Sequence, residues 1–325
     1  MGDEKHVIRL AAVQAASVFL DREATVEKAC RLIREAGQQG ADVVAFPEGF
    51  IPGHPNWFHY YPVSDGRCLE WNERLFRNAL EVPSAAFARL SQAAREAGTH
   101  VVIGVCEKVP GSGGSMYNSM LFIDRSGDLI GHHRKWLPTA GERLVHMPGR
   151  EDTLQAWPAD FGQISGLICG ENYHPLAIYT LIARGTQVHV ASWPPHFAPG
   201  QDMYERIMIA TRAIAFQAKV FVINAVGLLD EHAWEEMGIG VQDRMVWPGQ
   251  RGSTIVGPAG QILAGPLPYE EGILYADVDL HDLFRPRIFQ DLAGHYARHD
   301  LFELRIKGVP VRPDGKSDEG GAPDR

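Results

Sequence analysis

Two hydrophobic periods alternate through the first hundred residues, and this alternation limits the fold more than any other feature of the chain. Val7 to Val13 reads as a buried strand, after which Val26, Ala29, Cys30 and Ile33 fall at i, i+3, i+4, i+7 on one helix face ahead of Gly37. Val43 to Phe46 is a second strand. Phe87, Leu90, Ala94 and Ala97 mark a second helix closed by Gly98, and Val101 to Val105 a third strand. Strands and helices in that order call for a sheet covered by helices. Residues 49 to 66, GFIPGHPNWFHYYPVSDG, make an aromatic loop beyond the usual connection length, so a functional or interface role is expected of it.

The rest of the chain extends this pattern. Ser119 to Asp124 and Asp128 to His133 flank the turn Arg125-Ser126-Gly127, while Thr254 to Gly257 and Gln261 to Ala264 flank Pro258-Ala259-Gly260. The recurrence suggests two comparable halves. Between the hairpins come strands at Gln163 to Ile168, Gln187 to Ser192 and Val220 to Ala225. With them are a helix opened by Pro175 and another with Met203, Ile207, Ala210 and Ile214 on one face. No linker divides residues 1 to 306, so we expect a single α/β domain of two packed sheets, eleven or twelve strands in all, with helices outside. From 307 to 325 the composition turns to Gly, Pro, Asp, Lys and Arg, which predicts a mobile, solvated tail.

Composition narrows the function classes. A formal net charge of −9 argues against a nucleic-acid binder or a polybasic membrane surface and leaves a small molecule as the expected partner. Cys30, Cys68, Cys106 and Cys169 are widely spaced, without a C-x-x-C pair, which suits a reducing compartment. The N-terminus lacks the layout of a signal peptide and charged residues break every long apolar run, so a cytoplasmic location is expected. PGSGGS at 110 to 115 lies between strands instead of opening a helix, and reads as a plain loop and not a phosphate cradle. The adjacent His132 and His133 should face opposite sides of a strand, and no Cys/His spacing resembles a zinc site. Neither cofactor nor metal is expected.

Three polar residues stand where buried strands end. Glu48 follows DVVAF through Pro47, Lys135 follows the strand ending at His133, and Cys169 ends QISGLI. Strand ends in α/β sheets are where ligands bind. Singly, each has an ordinary reading, as a turn residue, a surface lysine and a small buried apolar side chain; together they suggest one pocket.

The segments FPEGFIPGHP, HRKWLPTAGERLV, ICGENYHPLA and GHYARHDLF resemble, in the same order, the signature segments of the nitrilase branch of the carbon-nitrogen hydrolase superfamily. The resemblance spans roughly residues 7 to 304. It implies a four-layer αββα sandwich of two mixed sheets and association through outer helices into dimers and larger spirals. It implies Cys169 as nucleophile, Glu48 as general base and Lys135 as the cation that stabilises developing negative charge. Glu142 matches the family's second glutamate and would orient Lys135 and the substrate. The backbone N–H of Gly170 would be a further donor, although many bacterial members carry Trp at that place.

The Glu, Lys and Cys are shared with amidases of the superfamily, so the flanks must choose the substrate. CGENYHPL and the WPP at Trp193 to Pro195 resemble nitrilases, and a nitrile is the expected substrate. Amide or cyanide hydrolysis, and a catalytically silent assembling scaffold, are the alternatives. Trp57, Phe58, Tyr60 and Tyr61, with Tyr173 and Trp193, could wall a pocket for an aromatic or arylaliphatic nitrile. For the 57 to 61 cluster, packing of the loop or of a subunit interface is an equal expectation. His295, in the GHYAR segment, is expected at an interface or in a structural role.

Overall fold

The computed structural model describes residues 6–150, 153–195, 203–244, 251–294, 296–307 and 309–311. His295 lies outside them. The first half runs β1 (Val7–Gln14), α1 (Arg22–Gln38), β2 (Val43–Ala45), α2 (Gly66–Asn78), α3 (Ala85–Ala97), β3 (His100–Lys108), β4 (Met116–Ile123) and β5 (Leu129–Arg134). Asp21 caps α1 by accepting from Ala24 N, and Ser84 caps α3 by accepting from Phe87 N. The second half runs β6 (Trp157–Ala159), β7 (Gly162–Ile168), α4 (Pro175–Ala183), β8 (Val188–Trp193), α5 (Met203–Ala218), β9 (Phe221–Val226), α6 (Glu231–Met237), β10 (Thr254–Val256) and β11 (Ile262–Ala264). There follow β12 (Gly272–Asp279), α7 (Phe284–Phe289), β13 (Arg305–Ile306) and β14 (Val309–Pro310).

The two main sheets have the orders β12-β1-β2-β3-β4-β5 and β11-β10-β9-β8-β7-β6. Each reads, from one edge, as an antiparallel strand, three parallel strands and an antiparallel hairpin. The two halves therefore repeat one pattern, with the β4–β5 hairpin matched by β10–β11. Alternation along the strands sorts the side chains between layers. Ala11, Val13, Val44, Val101 and Ile103 pack outward on Val26, Ala29, Ile33, Leu90 and Ala94 of α1 and α3. Leu10, Ala12, Val102, Met120 and Phe122 face the second sheet, whose own strands carry α4 and α5. At Gly166 an added Cβ would stand 2.4 Å from Met120 Sδ, so the close approach of the two sheets requires glycine there. The result is the expected αββα sandwich.

Several elements escaped the periodicity reading, among them α2, α6 and β12. Helix α2 buries Cys68, Trp71 and Leu75, and begins at Gly66, where the aromatic loop ends with the N-cap Asp65. Helix α6 buries Ala233, Trp234 and Met237. Strand β12 closes the first sheet by pairing with β1 from Val7–Asp279 to Gln14–Gly272. The fold also continues past residue 306. Val309–Pro310 pairs with Arg305–Ile306, and Val311 is buried beside Ala183 and Ala293. Residues 307 and 309 to 311 thus fall within the expected tail, whose remaining residues lie outside those described.

Candidate active site

Glu48 enters its position because the chain after β2 lies flat on β3. Ile51 N donates to Gly104 O at 3.2 Å and Cys106 N to Ile51 O at 2.7 Å. A Cβ on Gly104 would stand 2.2 Å from Pro47 O, so only glycine admits the approach. Lys135 follows β5 and is held by its own N–H on Asn118 O at 2.8 Å. Glu142 stands in a 3-10 turn, Ala140–Leu144, whose first N–H groups it helps satisfy by accepting from Thr139 N at 2.9 Å. The aromatic loop supports that turn, since the Phe58 side chain lies against Gly141.

These three side chains form one buried charge network. Lys135 Nζ donates to Glu48 Oε1 at 2.8 Å and to Glu142 Oε2 at 2.6 Å. Asn118 Nδ2 bridges the same two carboxylates at 2.6 and 2.7 Å. Lys135 is only 1% exposed, which a lysine tolerates when paired. Burial opposes charge on every member, and their partners overcome it. Lys135 holds Glu48 below the usual carboxylate range and Glu142 well below it, and the two carboxylates raise Lys135 well above its ordinary value. Among the described residues Glu48 Oε2 is buried with no hydrogen-bond partner, leaving one carboxylate oxygen open to a proton.

Cys169 supplies the sulfur. It follows β7 at φ 51°, a left-handed conformation that costs a non-glycine residue about 1–3 kcal/mol. Glu171 and Asn172 hold the turn in place against that strain. Glu171 accepts from Ile168 N at 2.9 Å and from Trp136 N at 2.8 Å, and its Oε2 is 2.8 Å from His133 Nε2. It therefore ties the nucleophile turn to the chain beside Lys135. Asn172 Nδ2 donates to Leu167 O and Cys169 O at 3.1 and 3.0 Å, and its Oδ1 meets His189 Nε2 at 2.9 Å. Sequence reasoning passed over Glu171, Asn172, Asn118 and His54; GEN directly after the cysteine was the available signal for the first two. His132 and His133 do face opposite sides, the former on Glu107 and the latter on Glu171.

The thiol is near enough to feel all three charges. Burial pushes its pKa up, Glu48 adds to that, and Lys135 and the Gly170 N–H work the other way. It rests as a neutral thiol, and a thiol must lose its proton before it can act as a nucleophile. Tyr173, half exposed, packs on Trp193 at 5.8 Å between ring centroids, and burial followed by Cys169 pushes its phenol up to about 12. Trp193 shares the core cluster of Cys169. Trp57 stands apart, wholly buried between Phe19, Phe58 and Trp71 in another cluster. Among the described residues, Glu48, His54 and Glu142 have ligand atoms within 4.8 Å of one another, spacing a metal ion could use. The Lys135 ammonium already bonds both carboxylates, so their charge is met within the chain.

A base, a cation and a thiol at the ends of strands from both sheets suit acyl transfer from carbon bound to nitrogen. The comparisons agree. Residues 9–285 match the carbon-nitrogen hydrolase family. The chain is 38% identical to "Nitrilase 2" from an unknown prokaryotic organism, over 97% of this chain and 98% of that protein. It is 36% identical to an aliphatic nitrilase of Rhodococcus rhodochrous, over 92% and 79%. A carbon-nitrogen hydrolase of Helicobacter pylori G27 has the same fold, with a TM-score of 0.69 at 18% identity over 87% and 93% of the two chains. The chain therefore belongs to the carbon-nitrogen hydrolase family, in its nitrilase branch.

Proposed function

We propose that this protein hydrolyses an organic nitrile to a carboxylic acid and ammonia, with Cys169 as nucleophile, Glu48 as general base, Lys135 as electrophilic cation and Glu142 as the anchor of Lys135. The buried Glu48–Lys135–Glu142 network beside a neutral thiol on a strained turn carries this reading. As the sulfur attacks the nitrile carbon, the thiol proton passes to the open oxygen of Glu48 and on to the nitrogen, giving a thioimidate. Lys135 and the Gly170 N–H face the charge that develops on nitrogen. Glu48 then takes a proton from water, which adds to the same carbon. The nitrogen leaves as ammonia and a thioester remains. A second water, activated in the same way, releases the acid and restores the thiol. One nitrile and two waters are consumed, and the route uses neither cofactor nor metal.

Tyr173 and Trp193 are placed to form an apolar wall beside the sulfur, while Trp57 serves by packing the loop that supports Glu142. We also infer a homo-oligomer in which α5 takes part, because Ile209 and Phe216 on its outer face are 71% and 51% exposed. The cytoplasmic location is supported by four buried, free cysteines. No helix among the described residues is long and apolar enough to cross a membrane. The test is ammonia release from parallel panels of nitriles and amides. Turnover of nitriles, lost in Cys169→Ala with the fold retained, is expected; activity on amides alone, or full activity in that variant, overturns the assignment.

A further inference from the structure

His54 is a buried titratable group that the reaction above leaves unused. It stands six residues after Glu48, wholly enclosed, in the loop that crosses β3. Its Nδ1 is 2.6 Å from Oδ1 of Asn56, and its Nε2 is 3.6 Å from Glu48 Oε1 and 3.8 Å from Glu142 Oε1. A ring nitrogen bonded to an amide oxygen must carry a proton. Were Nε2 then bare, its lone pair would face two buried carboxylates; protonated, it attracts both. The cluster would also count two anions against Lys135 alone. An uncompensated buried charge is costly, and the simplest relief is for one carboxylate to take up a proton. A protonated Glu48 cannot accept the thiol proton.

We propose that His54 is a positioning residue of the charge network: as an imidazolium it keeps Glu48 and Glu142 ionised together around Lys135, so that the base is ready in the resting enzyme. With His54 positive, two carboxylates meet two cations and the cluster carries no net charge. Burial opposes the charge on His54, but Glu142 and Glu48 outweigh it and raise its pKa to about 9. Among the described residues, the neighbouring titratable groups do not do the same work. His59, in the same loop, is pushed down to about 4 by burial and by His54, and burial lowers His146, after the Glu142 turn, against the pull of Glu142. Cys106 of β3, whose thiol donates to Gly53 O at 3.4 Å, is driven up by burial and stays neutral.

This inference rests on Glu48 being the base. The experiment is the pH dependence of kcat/KM for a nitrile, from about pH 5 to 10, in the full-length enzyme and in His54→Gln. The acid limb should move up by about one pH unit or more, with the rate at mildly acidic pH falling about tenfold. His54→Lys, which restores a cation without the ring, should bring the limb part of the way back. A merely structural role would lower the rate and leave the limb in place, and that result overturns the proposal. Histidine ring NMR on the unmutated enzyme gives a second test that does not depend on the variant folding. One buried imidazole should stay protonated up to about pH 9, and finding every buried imidazole neutral at about pH 7 also overturns it. Glu48→Gln separates the two readings. If it is inactive while the His54→Gln limb stays put, only the role of His54 fails; if it keeps full turnover, the base assignment itself fails.

Discussion

His54 and His189 are the same side chain in equal confinement, and their surroundings drive them in opposite directions. His189, on β8, lies between Ser165 Oγ and Asn172 Oδ1, each at 2.9 Å, with no carboxylate among these partners. Burial, and then the neighbouring His133, lower its pKa to about 3, so it stays a neutral relay that ties β7, β8 and the turn after Cys169 together. His54 meets the same burial with two carboxylates beside it and keeps its proton to about 9. Enclosure alone neutralises an imidazole; enclosure with anions does the reverse. The two sheets divide along this line. Strand ends of the first hold Glu48, Lys135 and their charged partners, while the interior of the second is bonded through neutral groups, such as Asn224 between Thr211, Thr254 and Trp193. Cys169 sits where the two regimes meet, its thiol held up by burial and then by the Glu48 carboxylate of the other sheet.

The contrast is broken most severely by removing a carboxylate. Glu142→Gln should lower kcat/KM for a nitrile by about 10³-fold, since Lys135 loses its shorter partner and His54 one of its two anions. In the same variant the His54 ring should lose its proton at lower pH than in the parent, which ring NMR can follow. An unchanged His54 titration would show that Glu142 does not hold the imidazolium. Next in size is the join between the regimes. Glu171→Ala strands the buried N–H of Ile168 and the half-buried N–H of Trp136, and frees the strained cysteine turn. A loss on the order of 3 kcal/mol in urea unfolding is expected, with kcat falling more than KM rises. If stability holds and only KM moves, Glu171 does not anchor the nucleophile.

How much of this was legible in the sequence follows from what each feature costs the chain. The strand-helix alternation, the two matching hairpins and the three strand-end residues announce themselves through short apolar runs, helical spacing and turn residues that lie close together in the chain. Cys68, Trp71 and Leu75 have helical spacing too, but they follow an unbroken aromatic stretch that masks where loop ends and α2 begins. Strand β12 is partly exposed along most of its length, so its alternation is faint; Asp277 on it answers Arg9 of β1, a pairing 268 positions apart that no local pattern reveals. The candidate site divides in the same way. Glu48, Lys135, Cys169 and Glu142 carry a motif signal, whereas Asn118 and His54 acquire meaning only when β4 and the loop after β2 are brought against the same two carboxylates.

The smallest expected effect is the most discriminating. The pKa of His189 in the folded protein, about 3, lies below the ordinary value near 6.5. Its contribution to stability is therefore complete above about pH 6.5 and is lost as pH falls from there toward 3. For His54, raised to about 9, the contribution is complete below about pH 6.5 and is lost as pH climbs through 9. His189→Gln should cost about 1–2 kcal/mol at neutral pH, by loosening the Ser165 and Asn172 bonds. Unfolding in urea at a series of pH values should show a shallower fall in stability on the acid side than the parent, and His54→Gln a shallower fall on the alkaline side. Because His189 bonds the cysteine turn through Asn172 and none of its bonded partners here is a carboxylate, its replacement should lower the rate without moving the acid limb of kcat/KM. A limb displaced as far by His189→Gln as by His54→Gln would mean that the second sheet shares the titration of the first, and the division between a charged and a neutral half of the interior would fall.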